Sequence, residues 1–176
     1  MPLRHSLSDA PKVRPTDIGL LHRCCRDVVG VLEAAGEYRL VTVQPIAAGD
    51  LLFRIEGEET RVPTRYSVQV GKGTHIDSGS DCGMDEVLDR YFWRFMNHHC
   101  EPATMIRGRD VIALRDLAPM EDVTFNYNTT EEDMAEPFAC RCGSVRCEGT
   151  IRGARHLTAA DRERLRPLMA PHVQGD

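Results

Sequence analysis

Apolar and polar positions alternate along this chain in short runs broken by turn residues, the pattern of a small β protein. Val28-Val29-Gly30-Val31-Leu32 reads as extended. Gly36 interrupts it and Arg39-Leu40-Val41-Thr42-Val43 resumes it, which predicts a hairpin. Gln44 to Asp50 is a turn, followed by Leu51-Leu52-Phe53-Arg54-Ile55 as a further strand. Tyr66 to Val70 and His75-Ile76-Asp77 flank Gly71-Lys72-Gly73 as a second hairpin. Val111 to Leu114 is another strand, and Val123 to Asn128 alternates like a half-buried strand that ends on an aromatic hydroxyl.

Helical periodicity is confined to short stretches. Ile18, Leu21, Cys25 and Val28 recur at helical spacing behind Thr16 as N-cap, which predicts a helix over Asp17–Asp27, with a strand that begins early as the competing reading. Met84 to Tyr91 has the composition of a short helix, and Tyr91-Phe92-Trp93 adds a bulky anchor expected in the core. Near the C-terminus Thr158 and Asp161 form a capping-type start for a helix that Pro167 limits to about two turns. The polar, acidic Thr129 to Met134 reads as a flexible connection.

Bulk properties narrow the function. The chain has 176 residues, 41% of them hydrophobic, enough for one core and too few for two comfortable domains. A net charge of -5 argues against direct nucleic-acid binding and suits a cationic protein substrate. No apolar run approaches a membrane span and no secretory leader is visible, so an intracellular protein, cytoplasmic or nuclear and not secreted, is expected. The seven cysteines include a Cys140-x-Cys142-x4-Cys147 cluster, a spacing that points to a metal site in a reducing compartment rather than to a disulfide framework. Three reduced thiols without metal is the alternative.

Chemistry-bearing residues concentrate in Arg94-Phe95-Met96-Asn97-His98-His99-Cys100-Glu101-Pro102, where an amide, two imidazoles and a thiol sit between apolar anchors and a proline. This stretch, the Phe125-x-Tyr127 segment and the three clustered cysteines, in that order and spacing, resemble the SET-domain protein-lysine methyltransferases, with their R-F-x-N-H-x-C-x-P core, F-x-Y strand and C-x-C-x4-C post-SET tail. Ala48-Gly49-Asp50 and Gly57-Glu58 match the same pattern. The resemblance implies a mainly β SET fold of small curved sheets, a knot-like C-terminal threading, short helices and a zinc-bound post-SET tail. It divides the chain into an N-terminal arm and short helix (1–27), a SET domain (28–132), a post-SET tail (133–153) and a C-terminal short helix and tail (154–176).

The activity so implied is methyl transfer from S-adenosylmethionine to a lysine amine in a protein or peptide substrate. Tyr127 would stand at the reaction centre, with Phe125 beside it on the same strand face. Phenylalanine at that position implies di- or trimethylation. Asn97 and His98 would hold the adenosine end of the cofactor, and the Tyr127 hydroxyl would orient the cofactor and the amine where they meet. Glu37-Tyr38-Arg39 occupies the place of the family's G-x-G cofactor loop, with Gly36 one residue away. Ile55 stands where a channel tyrosine is common, and Tyr66 is a candidate to replace it. Tetrahedral zinc requires four ligands, and Cys100 would complete the set formed with Cys140, Cys142 and Cys147. A zinc-stabilised SET-like binding module without turnover is the alternative. Oligomeric state is left open.

Overall fold

The computed structural model describes residues 20–24, 27–34 and 36–175. Strands β1 (Leu20–Cys24), β2 (Val29–Ala34) and β3 (Glu37–Thr42) form an antiparallel sheet in that order. The alternation around Gly36 is thus a hairpin. The expected helix over Asp17–Asp27 is a strand in its described part: Leu20–Cys24 pairs with Leu32–Val29 across a turn. A helix of this length is marginal on its own, and ladder bonds to a neighbouring strand outweigh its periodicity. The rest of that segment lies outside the described residues.

Along the chain follow β4 (Leu51–Arg54), β5 (Glu58–Thr60), the hairpin of β6 (Val68–Gly71) and β7 (Thr74–Asp77), α1 (Met84–Asp89), and then β8 (Asn97–His98). The hairpin β9 (Thr104–Arg107) and β10 (Asp110–Ala113) leads to β11 (Thr124–Phe125), and β12 (Phe138–Ala139), β13 (Thr150–Ile151) and α2 (Ala159–Leu165) complete the chain. Two further three-stranded antiparallel sheets have the orders β4-β10-β9 and β5-β7-β6, and β12 pairs with β13. The pair β8 and β11 is parallel. No described helix is long and apolar enough to cross a membrane.

Alternating side chains of several strands meet in one core that includes Val29, Val31, Leu40, Ile55, Ile76, Ile106 and Val111. Trp93 closes it, fully buried, with its indole nitrogen donating to Glu56 O at 2.9 Å. Ile55 is 0% exposed and belongs to this core. A smaller cluster of Ala154, Leu165, Met169, Ala170 and Val173 gathers the C-terminal segment. Thr158 caps α2, accepting from the Asp161 N–H at 3.1 Å. Arg107 ties the cluster to the β9 edge by donating to the Leu168 and Met169 carbonyls.

The acidic stretch after Tyr127 is built in, contrary to the expected flexible connection. Thr129, Thr130 and Glu131 are buried. Their backbone is pinned where Glu131 N–H donates to Tyr127 O at 2.9 Å, Ala154 N–H to Glu131 O at 2.7 Å and Ala170 N–H to Thr129 O at 2.8 Å. A composition rich in Thr and Glu reads as solvated, but here the threonine hydroxyls bond within the turn and the Glu131 carboxylate and the carbonyls of Thr129, Thr130 and Glu131 find partners from distant sequence.

Two glycines differ sharply in what they tolerate. Gly153 has φ +107, and a Cβ there would lie 2.6 Å from Glu132 O and 2.7 Å from Asp133 Cα, whereas Gly36 at φ +81 faces open space. Gly153→Ala is expected to cost about 3 kcal/mol, from strain plus a backbone clash, and Gly36→Ala about 1 kcal/mol, from strain alone. Urea unfolding of both variants measures the gap; equal midpoints would contradict the packing at Gly153.

Candidate active site

Two short segments, far apart in sequence, form the centre of the site. After a 3-10 turn over Phe92–Phe95 the chain straightens at Met96 and runs through β8, whose Asn97 and His98 lie opposite Thr124 and Phe125 of β11. His99 N–H donates to Phe125 O at 3.2 Å, and Thr104 Oγ1 donates to Thr124 O at 2.9 Å. β11 ends at Phe125, short of the alternating stretch that runs to Asn128. Asn126 is still extended, and Tyr127 opens a 3-10 turn over Tyr127–Thr129, with the Asn126 side chain accepting from Asn128 N–H at 3.0 Å.

Tyr127 is fixed at both ends. Its N–H donates to His98 Nδ1 at 3.2 Å and its hydroxyl donates to Met96 O at 2.8 Å. The Phe125 ring lies 4.7 Å away, His98 5.3 Å and Phe138 5.9 Å. Burial, and after it the charge of Glu131, raises the phenol above its ordinary range, so it stays a neutral donor. His98 accepts at Nδ1, which leaves its proton on Nε2, 3.2 Å from Cys100 Sγ. Burial, then the charge of His99, lowers His98 to about 4, so the ring is neutral near pH 7.

Two cavities share Tyr127 as a wall. One is a narrow channel of about 50 Å³ lined by Tyr66, Trp93, Met96, Phe125, Tyr127 and Glu131. The other is a broad cleft of about 600 Å³ lined by Glu37, Asn97, His98, Tyr127, Phe138 and Cys140, among others. Arg65, Tyr66, Arg94, Met134 and Glu136 also border both. The Arg94 guanidinium lies 4.1 Å over the Tyr66 ring and donates to Ser78 Oγ at 2.9 Å, which holds this half-exposed tyrosine at the channel.

The other expected cofactor residues divide. The exposed Glu37 faces the cleft, and Tyr38 offers its carbonyl to Asn97 Nδ2 at 3.3 Å while its ring packs on Phe95. The Arg39 side chain turns away and pairs with Asp122 at 3.0 Å. Only the Arg39 backbone is left near the expected loop.

Cys100, Cys140, Cys142 and Cys147 converge, with all four sulfurs within 4.8 Å of one another. The Cys100–Cys140 separation is 3.8 Å. A tetrahedron of Zn–S bonds of about 2.3 Å has an S···S edge of about 3.8 Å, so the geometry fits zinc. Cys100 Sγ has two donors beside it, His98 Nε2 and the Glu148 N–H at 3.3 Å, but burial still raises this thiol and that of Cys140 above their ordinary range. Burial raises Cys142, but backbone hydrogen bonds and those of the neighbouring thiols overcome it and bring the thiol down to about 6.

Glu148, which follows the last of these cysteines, is absent from any reading of the motif. Its side chain is 3% exposed. It accepts from Asn126 Nδ2 and Asn128 Nδ2, both at 2.7 Å, and from Arg164 of α2 at 2.8 Å. The two residues that flank Tyr127 are thus clipped to the cysteine tail. Two asparagines bracketing a partly buried tyrosine are the available signal, since buried amides require partners.

A model of the SET domain family matches residues 37–128. Methyltransferase flvH of Aspergillus flavus is 33% identical over 137 residues, covering 73% of this chain and 68% of that protein. The H3 lysine-4 specific histone-lysine N-methyltransferase of Saccharomyces cerevisiae is 29% identical over 155 residues, which is 74% of this chain but only 14% of that much longer protein. Among solved structures, KRYPTONITE in complex with mCHG DNA and SAH superposes with a TM-score of 0.54 at 22% identity, over 69% of this chain and 28% of that one. Arabidopsis thaliana SUVH6 in complex with SAM gives 0.53 at 16%, over 69% and 32%. These structures share the fold, the family model carries the segment from Glu37 to Asn128 that contains Asn97, His98, Phe125 and Tyr127, and this chain belongs to the SET-domain family.

Proposed function

We propose that this chain transfers methyl groups from S-adenosylmethionine to the side-chain amine of a lysine in a protein or peptide substrate. The observation that carries this reading is Tyr127, which forms a common wall of a broad cleft and a narrow channel, the arrangement an in-line displacement between two separately bound reactants needs. Bound in the cleft, S-adenosylmethionine supplies an electrophilic methyl group on a sulfonium. In this reading Asn97 and Phe138 border the adenosine end, and Glu37 and the Tyr38 backbone the methionine end. The open side of Gly36 gives that backbone room in place of the family's two glycines.

The chain's own groups then do three things. Phe125, Met96 and Trp93 strip water from the lysine stem, Tyr66 guards the entrance, and the Tyr127 hydroxyl orients the amine through hydrogen bonding. Free lysine has a pKa of about 10.4, and burial in an apolar channel disfavours its ammonium form. Cys100, Cys140, Cys142 and Cys147 would hold a structural zinc ion that braces the tail against β8 and the Tyr127 turn. Reduced cysteines and a cationic target fit an intracellular protein, cytoplasmic or nuclear.

The reaction is tested with the full chain, S-adenosylmethionine, core histones and an array of lysine peptides, read by mass spectrometry. Transfer to lysine is expected; no transfer to any of them would overturn the reading. Tyr127→Phe should slow turnover about 100-fold while lowering stability by about 1 kcal/mol, the worth of one hydrogen bond. Near-normal turnover would remove Tyr127 from the reaction centre.

Phe125 leaves space beside the amine, so products under excess cofactor should run to di- or trimethyl-lysine, and Phe125→Tyr should shift them toward monomethyl-lysine. Wild type stopping at one methyl would contradict this.

Zinc should be present in equimolar amount in protein purified under reducing conditions. Cys147→Ser should lose both metal and turnover and leave the β core folded by circular dichroism. A metal-free, active variant would contradict the coupling.

A further inference from the structure

Glu131 is a buried acid with no role in the reading above. Glu131 lines the channel together with Phe125 and Tyr127, and the residue is 6% exposed. One helical turn separates it from Tyr127, and the Glu131 N–H to Tyr127 O bond at 2.9 Å holds that spacing. One carboxylate oxygen is committed to structure: Oε1 accepts from Gln69 N–H of β6 at 2.7 Å and from Thr130 Oγ1 at 3.5 Å. The other, Oε2, lies 3.7 Å from Nε2 of the buried His75 of β7. His75 Nδ1 has no hydrogen-bond partner among the described residues. A carboxylate with one oxygen fixed by hydrogen bonds and the other held only by the long contact to His75, in the wall of a channel suited to an alkylammonium, is poised to handle that ammonium's proton.

We infer that Glu131 receives the proton of the target lysine before methyl transfer, as a catalytic residue of the activity proposed above, on which this assignment rests. An N–H bond of the lysine ammonium breaks and an O–H bond forms on Glu131 Oε2, leaving a neutral amine whose lone pair is free for the methyl carbon and a neutral carboxylic acid in the wall. The acid returns its proton to solvent through the channel mouth before the next round. The ionised form also draws the cationic side chain inward, in a site that would otherwise favour an uncharged one.

The surrounding charges suit this use. Tyr127 beside it is a neutral donor, and Arg65 and Glu136 at the mouth pair with each other at 3.5 Å. Burial, then His172, lowers His75, so no formal cation neutralises Glu131 from that side. His172 itself is turned to Thr130 O at 2.8 Å. Burial pushes the Glu131 carboxyl up to about 7, against its hydrogen bonds from Gln69 and Thr130. The carboxylate that accepts a proton is therefore the form favoured as pH rises through about 7, and turnover should rise with it.

The test uses the best-methylated peptide of the array, in three versions: with lysine, with aminoethylcysteine, whose amine is less basic, and with norleucine, which has no amine. In wild type the rising limb of the pH–rate profile should stand near pH 7 for both amines. Glu131→Gln should lose about 100-fold in turnover near neutrality, lose that limb, and favour aminoethylcysteine over lysine. It should also lose the tighter binding of lysine over norleucine peptide, measured by fluorescence anisotropy, while its melting temperature stays near that of wild type.

A folded Glu131→Gln with wild-type rate and pH profile would overturn the assignment. If the variant does not fold, wild type decides alone, because a limb that moves with the basicity of the amine shows deprotonation by solvent and overturns it. A wild-type chain that methylates nothing overturns the underlying reaction instead, and the assignment with it.

Discussion

The parallel contact between Asn97–His98 and Thr124–Phe125 is the constraint on which the site depends. Two residues per strand make a weak ladder on their own, and a parallel pair cannot be closed by a tight turn. Here the connection is the β9–β10 hairpin with the segment that follows it, and packing supplies what the ladder lacks. Phe92, Trp93 and Met96, which precede β8, and Ala103, Thr104 and Val123, which lie between the two strands in sequence, are all buried. Only with the pair formed does Tyr127 come within reach of both Met96 O and His98 Nδ1, which orient its hydroxyl and its backbone.

Around that contact the structure is tied in two directions. Toward the tail, His98 directs its Nε2 proton to Cys100, and Glu148 holds Asn126 and Asn128 against the cysteine cluster, with Arg164 of α2 behind it. Breaking a buried carboxylate of this kind by removing a single partner is costly, because the remaining groups stay desolvated. Toward the β5-β7-β6 sheet, Gln69 grips two consecutive residues: its N–H donates to Glu131 Oε1, and its Oε1 accepts from Glu132 N–H at 2.8 Å. The tyrosine turn is therefore held from the cysteine cluster on one side and from a sheet on the other.

The alternating strands were legible because burial of one face writes itself into the side-chain period, as at Leu40, Val111 and Ile76. β1 was not, since its apolar spacing also suits a helix and only pairing with β2 decides. Strands of two residues such as β8, β11, β12 and β13 are too short to show any period. The Asn97, His98, Tyr127 and cysteine motifs stand out because their order and spacing together resemble one family's pattern, each being weak alone. Glu131 and Glu148 could not, because what marks them is burial against partners from elsewhere in the chain, Gln69 62 positions away and Asn126 22 positions away. Arg39 shows the reverse case: its place in the motif suggests the cofactor, and its ion pair with Asp122 takes the side chain elsewhere.

The account turns on Tyr127 being the place where cleft and channel meet, and a crystal structure of the chain with S-adenosylhomocysteine and a lysine peptide tests that most directly. The account predicts the adenosine against Asn97 and Phe138, the lysine stem between Phe125 and Tyr66, and the sulfur and the lysine nitrogen facing each other beside the Tyr127 hydroxyl. Cofactor and peptide on the same side of Tyr127, or a lysine that reaches the cofactor by a route that bypasses the Phe125 channel, would contradict it.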